Sequence, residues 1–248
     1  MTDPESAPSV VMVTGAASGI GAAVATAFRS RGNCVAVIDR AFSIADSLHG
    51  YRLDVTDAAA VSETVAAVEA DLGPIGTLVN CAGVLHPSAL LETDPKDWND
   101  MMQVNATGVL AATQAVARVM VPRRSGSIVT VASNAASVPR TKIGAYAASK
   151  AAASHLTRCF GLELAAYGVR CNVVAPGSTD TPMLMTSLTN GDPSTVLEGD
   201  LSQFRLGIPL GRIATTDDIA DAVLFLASPQ ARHITMQELT VDGGASLN

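Results

Sequence analysis

Short apolar runs alternate along this chain with longer segments in which apolar residues recur at helical spacing. Val10 to Val13 is the first run, and it stops at Thr14-Gly15. A run of this length bounded by turn residues predicts a fully buried parallel strand. Ile20 to Arg31 is alanine-rich with helical spacing and closes at Gly32, where glycine can end a helix. Cys34 to Ile38 predicts a second strand ending at Asp39, and Tyr51 to Asp54 a third. Residues 57–72 place Val61, Val65 and Val68 on one helical face. Ile75 to Asn80 predicts a fourth strand, residues 95–122 two helical segments divided near Asn105, and Ser127 to Ser133 a fifth strand. A long alanine-rich helix is expected over 145–167, capped by Gly168, and a sixth strand over Val169 to Ala175. The polar stretch 183–207, with Gly191, Pro193 and Gly199, predicts a mobile helical excursion. A helix over 216–227 and a strand over Glu238 to Val241 complete the pattern.

Strands separated by helices imply parallel pairing, right-handed crossovers and helices on both faces. The expected fold is therefore α/β, a single-domain doubly wound Rossmann sheet. We see no repeat or linker, so residues 9–248 read as one dinucleotide-binding and catalytic domain behind a flexible N-terminus, 1–8. In such sheets ligands bind beyond the carboxyl ends of the strands, and the motifs below fall there.

Composition narrows the partners. The chain has 248 residues and a net charge of −7, which argues against nucleic-acid binding, since that needs a basic face. Hydrophobic residues are 48% and charged residues 16%, a balance that suits burial of surface in an oligomer. Cys34, Cys81, Cys159 and Cys171 form no C-x-x-C pair, and the four histidines share no ligand spacing, so free thiols and no metal are expected. The first residues lack a basic region and an apolar stretch, and no uninterrupted apolar run is long enough for a bilayer. A soluble cytoplasmic protein without membrane contact is expected.

The turn after the first strand reads Thr14-Gly15-Ala16-Ala17-Ser18-Gly19-Ile20-Gly21. Its spacing is G-x-x-x-G-x-G, not the commoner G-x-G-x-x-G. Glycines there let a pyrophosphate approach the backbone, and the helix N-terminus offers unpaired N–H groups. Asp39 ends the second strand, where a carboxylate can accept from an adenosine ribose and repels a 2′-phosphate, favouring NAD over NADP. Arg40 follows and could instead receive that phosphate.

Further motifs carry a family resemblance. Asn80-Cys81-Ala82-Gly83 resembles the N-N-A-G segment of short-chain dehydrogenases, with Cys in place of the second Asn, and Tyr146-Ala147-Ala148-Ser149-Lys150 matches their Y-x-x-x-K. Ser133 precedes that tyrosine at the usual distance, and Asn105 matches the family's helix asparagine. Pro176-Gly177-Ser178-Thr179-Asp180-Thr181 resembles the segment around the nicotinamide, and Val241-Asp242-Gly243-Gly244 the C-terminal signature. The chain thus resembles the short-chain dehydrogenase/reductase family over nearly its whole length. The resemblance implies a nicotinamide cofactor, NAD by the Asp39 argument. It implies a catalytic set of Asn105, Ser133, Tyr146 and Lys150, with Asn105 holding a water that links Lys150 to solvent. The cofactor set would be Gly15, Ser18, Gly19, Ile20, Gly21, Asp39, Arg40, Asp54, Val55, Asn80, Ala82, Gly83, Tyr146, Lys150, Pro176, Gly177, Thr179 and Thr181. Asp54-Val55 would meet the adenine, although Asp54 can also serve as a helix cap. Tyr146 and Lys150 are four apart and share a helical face. A phenol titrates near ~10, and the Lys150 ammonium with a positive nicotinamide ring is expected to lower it.

Other segments resemble a subgroup of dihydrodiol dehydrogenases from catecholate siderophore pathways, which oxidise 2,3-dihydro-2,3-dihydroxybenzoate. They are Asp39-Arg40-Ala41-Phe42, Val129 to Ala136, Pro139-Arg140, Gly177 to Thr181, Gln203 to Gly211 and His233 to Gln237. Most family members carry Gly where Met236 stands. The resemblance implies oxidation of a ring C3 alcohol beside a carboxylate, driven by aromatisation. Arg140 is the candidate clamp for a small-molecule carboxylate substrate, with Lys142 and Arg205 as lesser candidates. Met183, Met185, Leu188 and Phe204 are expected to form an apolar lid. A trans-2,3-dihydro-3-hydroxyanthranilate dehydrogenase, an NADP-linked ketone reductase and a nucleotide-sensing binding protein remain open alternatives. The resemblance also implies a homotetramer.

Overall fold

A computed structural model describes residues 9–41, 49–188 and 192–247. The expected flexible segment 1–8, together with Phe42 and Gly191, lies outside the described residues. The elements in order are β1 (Val10–Thr14), α1 (Gly19–Ser30), β2 (Val35–Asp39), β3 (Gly50–Arg52), α2 (Ala58–Leu72) and β4 (Ile75–Asn80). Then come α3 (Pro95–Met102), α4 (Gly108–Met120), β5 (Gly126–Val131), α5 (Gly144–Leu164) and β6 (Val169–Pro176). The last part holds α6 (Pro182–Ser187), α7 (Ser194–Leu197), β7 (Gly199–Asp200), β8 (Arg205–Leu206), α8 (Thr216–Ala227) and β9 (Glu238–Val241).

One seven-stranded sheet runs in the order β3-β2-β1-β4-β5-β6-β9. Every neighbouring pair in it is parallel. Successive side chains of a strand face opposite sides, and β1 shows what that does here. Val10 and Met12 enter one core with α2, α4 and α5, while Val11 and Val13 enter a second core with α1 and α8. Both faces are therefore apolar, which is why the strands read as continuous hydrophobic runs. The strand order reverses between β1 and β4, and the loops after these two strands form the crevice expected at such a switch point.

Local chemistry sets the helix ends. Asp57 caps α2 by accepting from Ala59 and Ala60 N–H, and Asp94 caps α3 ahead of Pro95. Thr215 and Asp218 form a capping box at α8, an arrangement that satisfies two orphan donors reciprocally. The helical run 95–123 is long and apolar enough to cross a membrane, but 61% of its most apolar stretch is buried within the fold. Packing against α2, α5 and the sheet accounts for that hydropathy.

Three local differences from the sequence expectation matter for the site. β5 ends at Val131, so Ser133 lies beyond the strand and caps a 3-10 turn, Asn134–Ala136. The break near Asn105 is a π-helical turn, Gln103–Thr107, between α3 and α4. The excursion over 183–207 contains two short helices and an antiparallel β7–β8 hairpin, which two-residue strands give no period to announce. Met236 has φ 61°, the left-handed region that favours glycine.

Candidate active site

The glycine-rich turn is built by backbone contact. Gly15 and Gly19 have φ of 67° and 54°. A Cβ on Gly15 would stand 2.6 Å from Ala82 backbone atoms, and one on Gly21 would stand 2.1 Å from the Gly15 carbonyl oxygen. The turn thus presses against the loop after β4 on one side and the first turn of α1 on the other. Thr14 fastens the junction, its hydroxyl oxygen lying 3.2 Å from Cys81 N and 3.3 Å from Ala82 N. Sequence reasoning quoted Thr14 without a role; its signal was a polar residue at the buried end of an apolar strand.

A cavity of about 270 Å³ follows this junction, and it takes in Gly15, Ser18, Gly19, Ile20, Gly21, Asp39, Arg40, Asp54, Val55, Ala82, Gly83, Tyr146, Lys150 and Thr181 from the expected cofactor set. Ser18 precedes α1 without spending its side chain on the helix end, so N–H groups there are open to an anion. Asp39 accepts from Ala17 N–H at 3.0 Å and from Ala41 N–H at 2.9 Å, which orients its carboxylate at the cavity edge. Asp54 accepts from the N–H and hydroxyl of Thr56. Those bonds hold its carboxyl below the usual carboxylate range. It is Asp57 that caps α2, so the cap expected near Asp54 falls three residues on. The cradle of glycines, the helix N-terminus and the oriented carboxylate at the end of β2 together fit a dinucleotide.

A second cavity of about 280 Å³ adjoins the first and shares Ile20, Ala132, Tyr146, Thr181 and Met183 with it. Ser133, Arg140, Lys142, Pro176, Gly177, Thr179, Leu188 and Arg205 line it. Three of the expected cofactor residues, Pro176, Gly177 and Thr179, therefore face this second cavity and not the first. Asn80 differs more. Its side chain is buried and donates to Thr113 and Thr130 hydroxyls at 3.2 and 3.3 Å, so it braces β4 against α4 and β5 and lines neither cavity. Cys81, beside it, is the residue that reaches the first cavity.

The four expected catalytic residues converge. Asn105 is fully buried in the π-helical turn, a form frequent at functional sites. Its amide donates to Val84 O and to Ser149 Oγ, both at 2.9 Å, and its oxygen accepts from Val84 N–H at 2.8 Å. Both ends of the amide are engaged with protein. A Cβ on Gly83 would lie 3.2 Å from Lys150 Nζ and 3.3 Å from Asn105 Oδ1, so glycine lets these two groups approach the loop. Lys150 Nζ donates to Val131 O at 2.9 Å and sits 5.9 Å from the Tyr146 ring centre.

Burial governs the titration of the pair. Desolvation pushes the Tyr146 phenol up to about 12, opposed by the hydrogen bond from Ser133. Desolvation brings Lys150 down to about 8. The expected lowering of the phenol by Lys150 is not what the protein alone produces. The ammonium is turned to the Val131 carbonyl, and loss of water outweighs its charge.

The expected lid is corrected in part. Met183 and Leu188 line the second cavity, whereas Met185 and Phe204 do not. Phe204 is 89% exposed at the corner of the β7–β8 hairpin, with φ 52°, and Met185 lies on the outer face of α6 at 48%. Arg140 is half-buried and donates to Ala245 O at 3.4 Å. Among the described residues no group of His, Cys, Asp and Glu could hold a metal ion.

A family model described as enoyl-(acyl carrier protein) reductase matches residues 15–246. The 2,3-dihydro-2,3-dihydroxybenzoate dehydrogenase of Bacillus subtilis (strain 168) is 48% identical, covering 96% of each chain. The vibriobactin-specific 2,3-dihydro-2,3-dihydroxybenzoate dehydrogenase of Vibrio cholerae is 43% identical over the full length of both. Among solved structures, ElxO with NADP bound superimposes with a TM-score of 0.86 at 27% identity, covering 98% of this chain and all of that one.

Proposed function

Because this chain belongs to the short-chain dehydrogenase/reductase family, we propose that it oxidises the C3 alcohol of 2,3-dihydro-2,3-dihydroxybenzoate with NAD, in catecholate siderophore biosynthesis. The observation that carries this reading is the position of Tyr146, whose ring borders both cavities. One cavity suits a dinucleotide. The other combines apolar walls with cationic side chains, as a ring bearing a carboxylate requires.

The glycine-rich turn and the N-terminus of α1 hold the pyrophosphate, and Asp39 holds the adenosine ribose. Bound there, the oxidised dinucleotide supplies a hydride acceptor. Ser133 donates to the substrate oxygen and fixes its direction. Tyr146 accepts the proton of the C3 hydroxyl. Lys150 holds positive charge beside the phenol, and Asn105 locks the loop after β4 against α5. Arg140 takes the carboxylate. Loss of the C3 hydrogen and hydroxyl proton leaves a ketone that tautomerises to an aromatic ring, which draws the reaction towards oxidation. In this reading the enzyme works in the cytoplasm as a homotetramer.

Spectrophotometric NADH formation tests the proposal. The purified protein is expected to reduce NAD with 2,3-dihydro-2,3-dihydroxybenzoate faster than with the corresponding 3-hydroxyanthranilate precursor. No turnover of the first substrate, with either NAD or NADP, would refute it.

Cofactor choice has its own test. Asp39→Ala removes the carboxylate that would meet a 2′-phosphate and frees Ala17 N–H. The ratio of kcat/KM for NAD over NADP is expected to fall by about tenfold. An unchanged ratio removes Asp39 from ribose recognition.

A further inference from the structure

Two guanidinium groups reach the second cavity from separate parts of the fold. Arg140 stands on the connection between β5 and α5, and Arg205 opens β8 in the small hairpin. Among the described residues neither takes part in an ion pair. Arg140 donates to the Ala245 carbonyl, and Arg205 donates to Ser178 Oγ at 3.0 Å. The carboxylate of Asp200, on the same hairpin, is within electrostatic reach of Arg205. Its oxygens accept from Ser202 and Gln203. Burial lowers the Arg205 guanidinium from its ordinary value, and the charge of Arg140 lowers it further. Two half-buried like charges side by side are unfavourable, and an anion between them would relieve both.

Backbone geometry aims Arg205 inward. Neighbouring side chains on a strand face opposite ways. Leu206, the other residue of β8, turns out to solvent, while Arg205 is half-buried against the cavity. The hairpin also touches the connection that carries Arg140, through a 3.1 Å bond from Thr141 Oγ1 to Gln203 Oε1.

We propose that Arg205 is the second half of the substrate's carboxylate site, so that the anion binds between Arg140 and Arg205 and ties the β7–β8 hairpin to the body of the fold. This rests on the reaction assigned above and names the residue that makes it specific for an acid. A neutral dihydrodiol would leave the repulsion between the two cations unrelieved and the hairpin untied.

Binding to the enzyme–NADH complex tests this without turnover, by titrating 2,3-dihydroxybenzoate against catechol, which lacks the carboxylate. Wild type is expected to prefer the acid. Arg205→Ala is expected to weaken 2,3-dihydroxybenzoate by about tenfold or more and to leave catechol and NADH unchanged. Arg140→Ala should do the same, and the double variant should lose less than the product of the two, since both act on one group. Arg205→Lys should recover part of the loss, because it keeps the charge without the planar fork. Unchanged preference in Arg205→Ala, or equal loss of acid and catechol, overturns the assignment. A wild type that binds the acid through both arginines yet does not oxidise its dihydro precursor keeps this site and overturns the reaction instead.

Discussion

Tyr146→Phe is expected to lower kcat for alcohol oxidation by about 10³-fold while leaving the dinucleotide KM within about a factor of two. The ring fills its place by packing with Met101, Ala145 and their neighbours, so phenylalanine should keep the cavity walls intact. What disappears is one oxygen at the border of the two cavities. The chain makes that oxygen a poor acceptor by itself. Burial holds the phenol near about 12, and the nearby lysine has been brought to about 8. Proton acceptance therefore needs the phenolate, whose population rises with pH. Wild-type kcat/KM should climb through the alkaline range, and the residual rate of the phenylalanine variant should not follow it. Initial rates of NADH formation across pH, with thermal unfolding to show retained structure, measure both. Near-normal rates in the variant would end the role given to Tyr146.

Much of this arrangement could be read before the structure, because the strands are buried on both faces. Val10 to Val13 needs no alternation to be legible, since each residue has an apolar side to enter. The strand-end rule pointed to the side of the sheet where Gly15 and Asp39 line the first cavity and Ser133 the second, with Tyr146 of α5 bordering both. Asn80 was misjudged for a different reason. Its neighbour in the motif reaches the cavity, but a strand turns successive side chains to opposite faces, and Asn80 turns to Thr113 and Thr130. That Phe204 faces solvent while Arg205 lines the second cavity was hidden because the hairpin holding them has two-residue strands. Nothing in so short a pattern tells which residue faces in. The upward displacement of the Tyr146 phenol was equally hidden, since desolvation depends on how much protein surrounds the ring, not on its spacing from Lys150.

The glycine-rich turn bears the other large effect. Gly21→Ala is expected to raise the KM for NAD by about a hundredfold and to cost about 2 kcal/mol of stability. The added methyl would stand 2.1 Å from the Gly15 carbonyl oxygen, with the Ala16 Cα 3.1 Å away. Both are backbone, so no side chain can rotate aside. The turn must move off α1, yet Gly15 on its far side already meets Ala82. Relief would have to separate the loops after β1 and β4, which together form the wall of the dinucleotide cavity. Gly32→Ala is the control. Unlike Gly21 it lies at positive φ, 82°, so alanine there is strained by the backbone alone, while nothing lies within 4 Å of the new methyl and the cavity is elsewhere. It should cost about 1 kcal/mol with the KM for NAD unchanged. Steady-state kinetics and denaturant melts of both variants separate backbone strain from loss of the cradle. A Gly21→Ala enzyme with wild-type KM and stability would mean that the turn does not need the close contact on which dinucleotide binding here is argued.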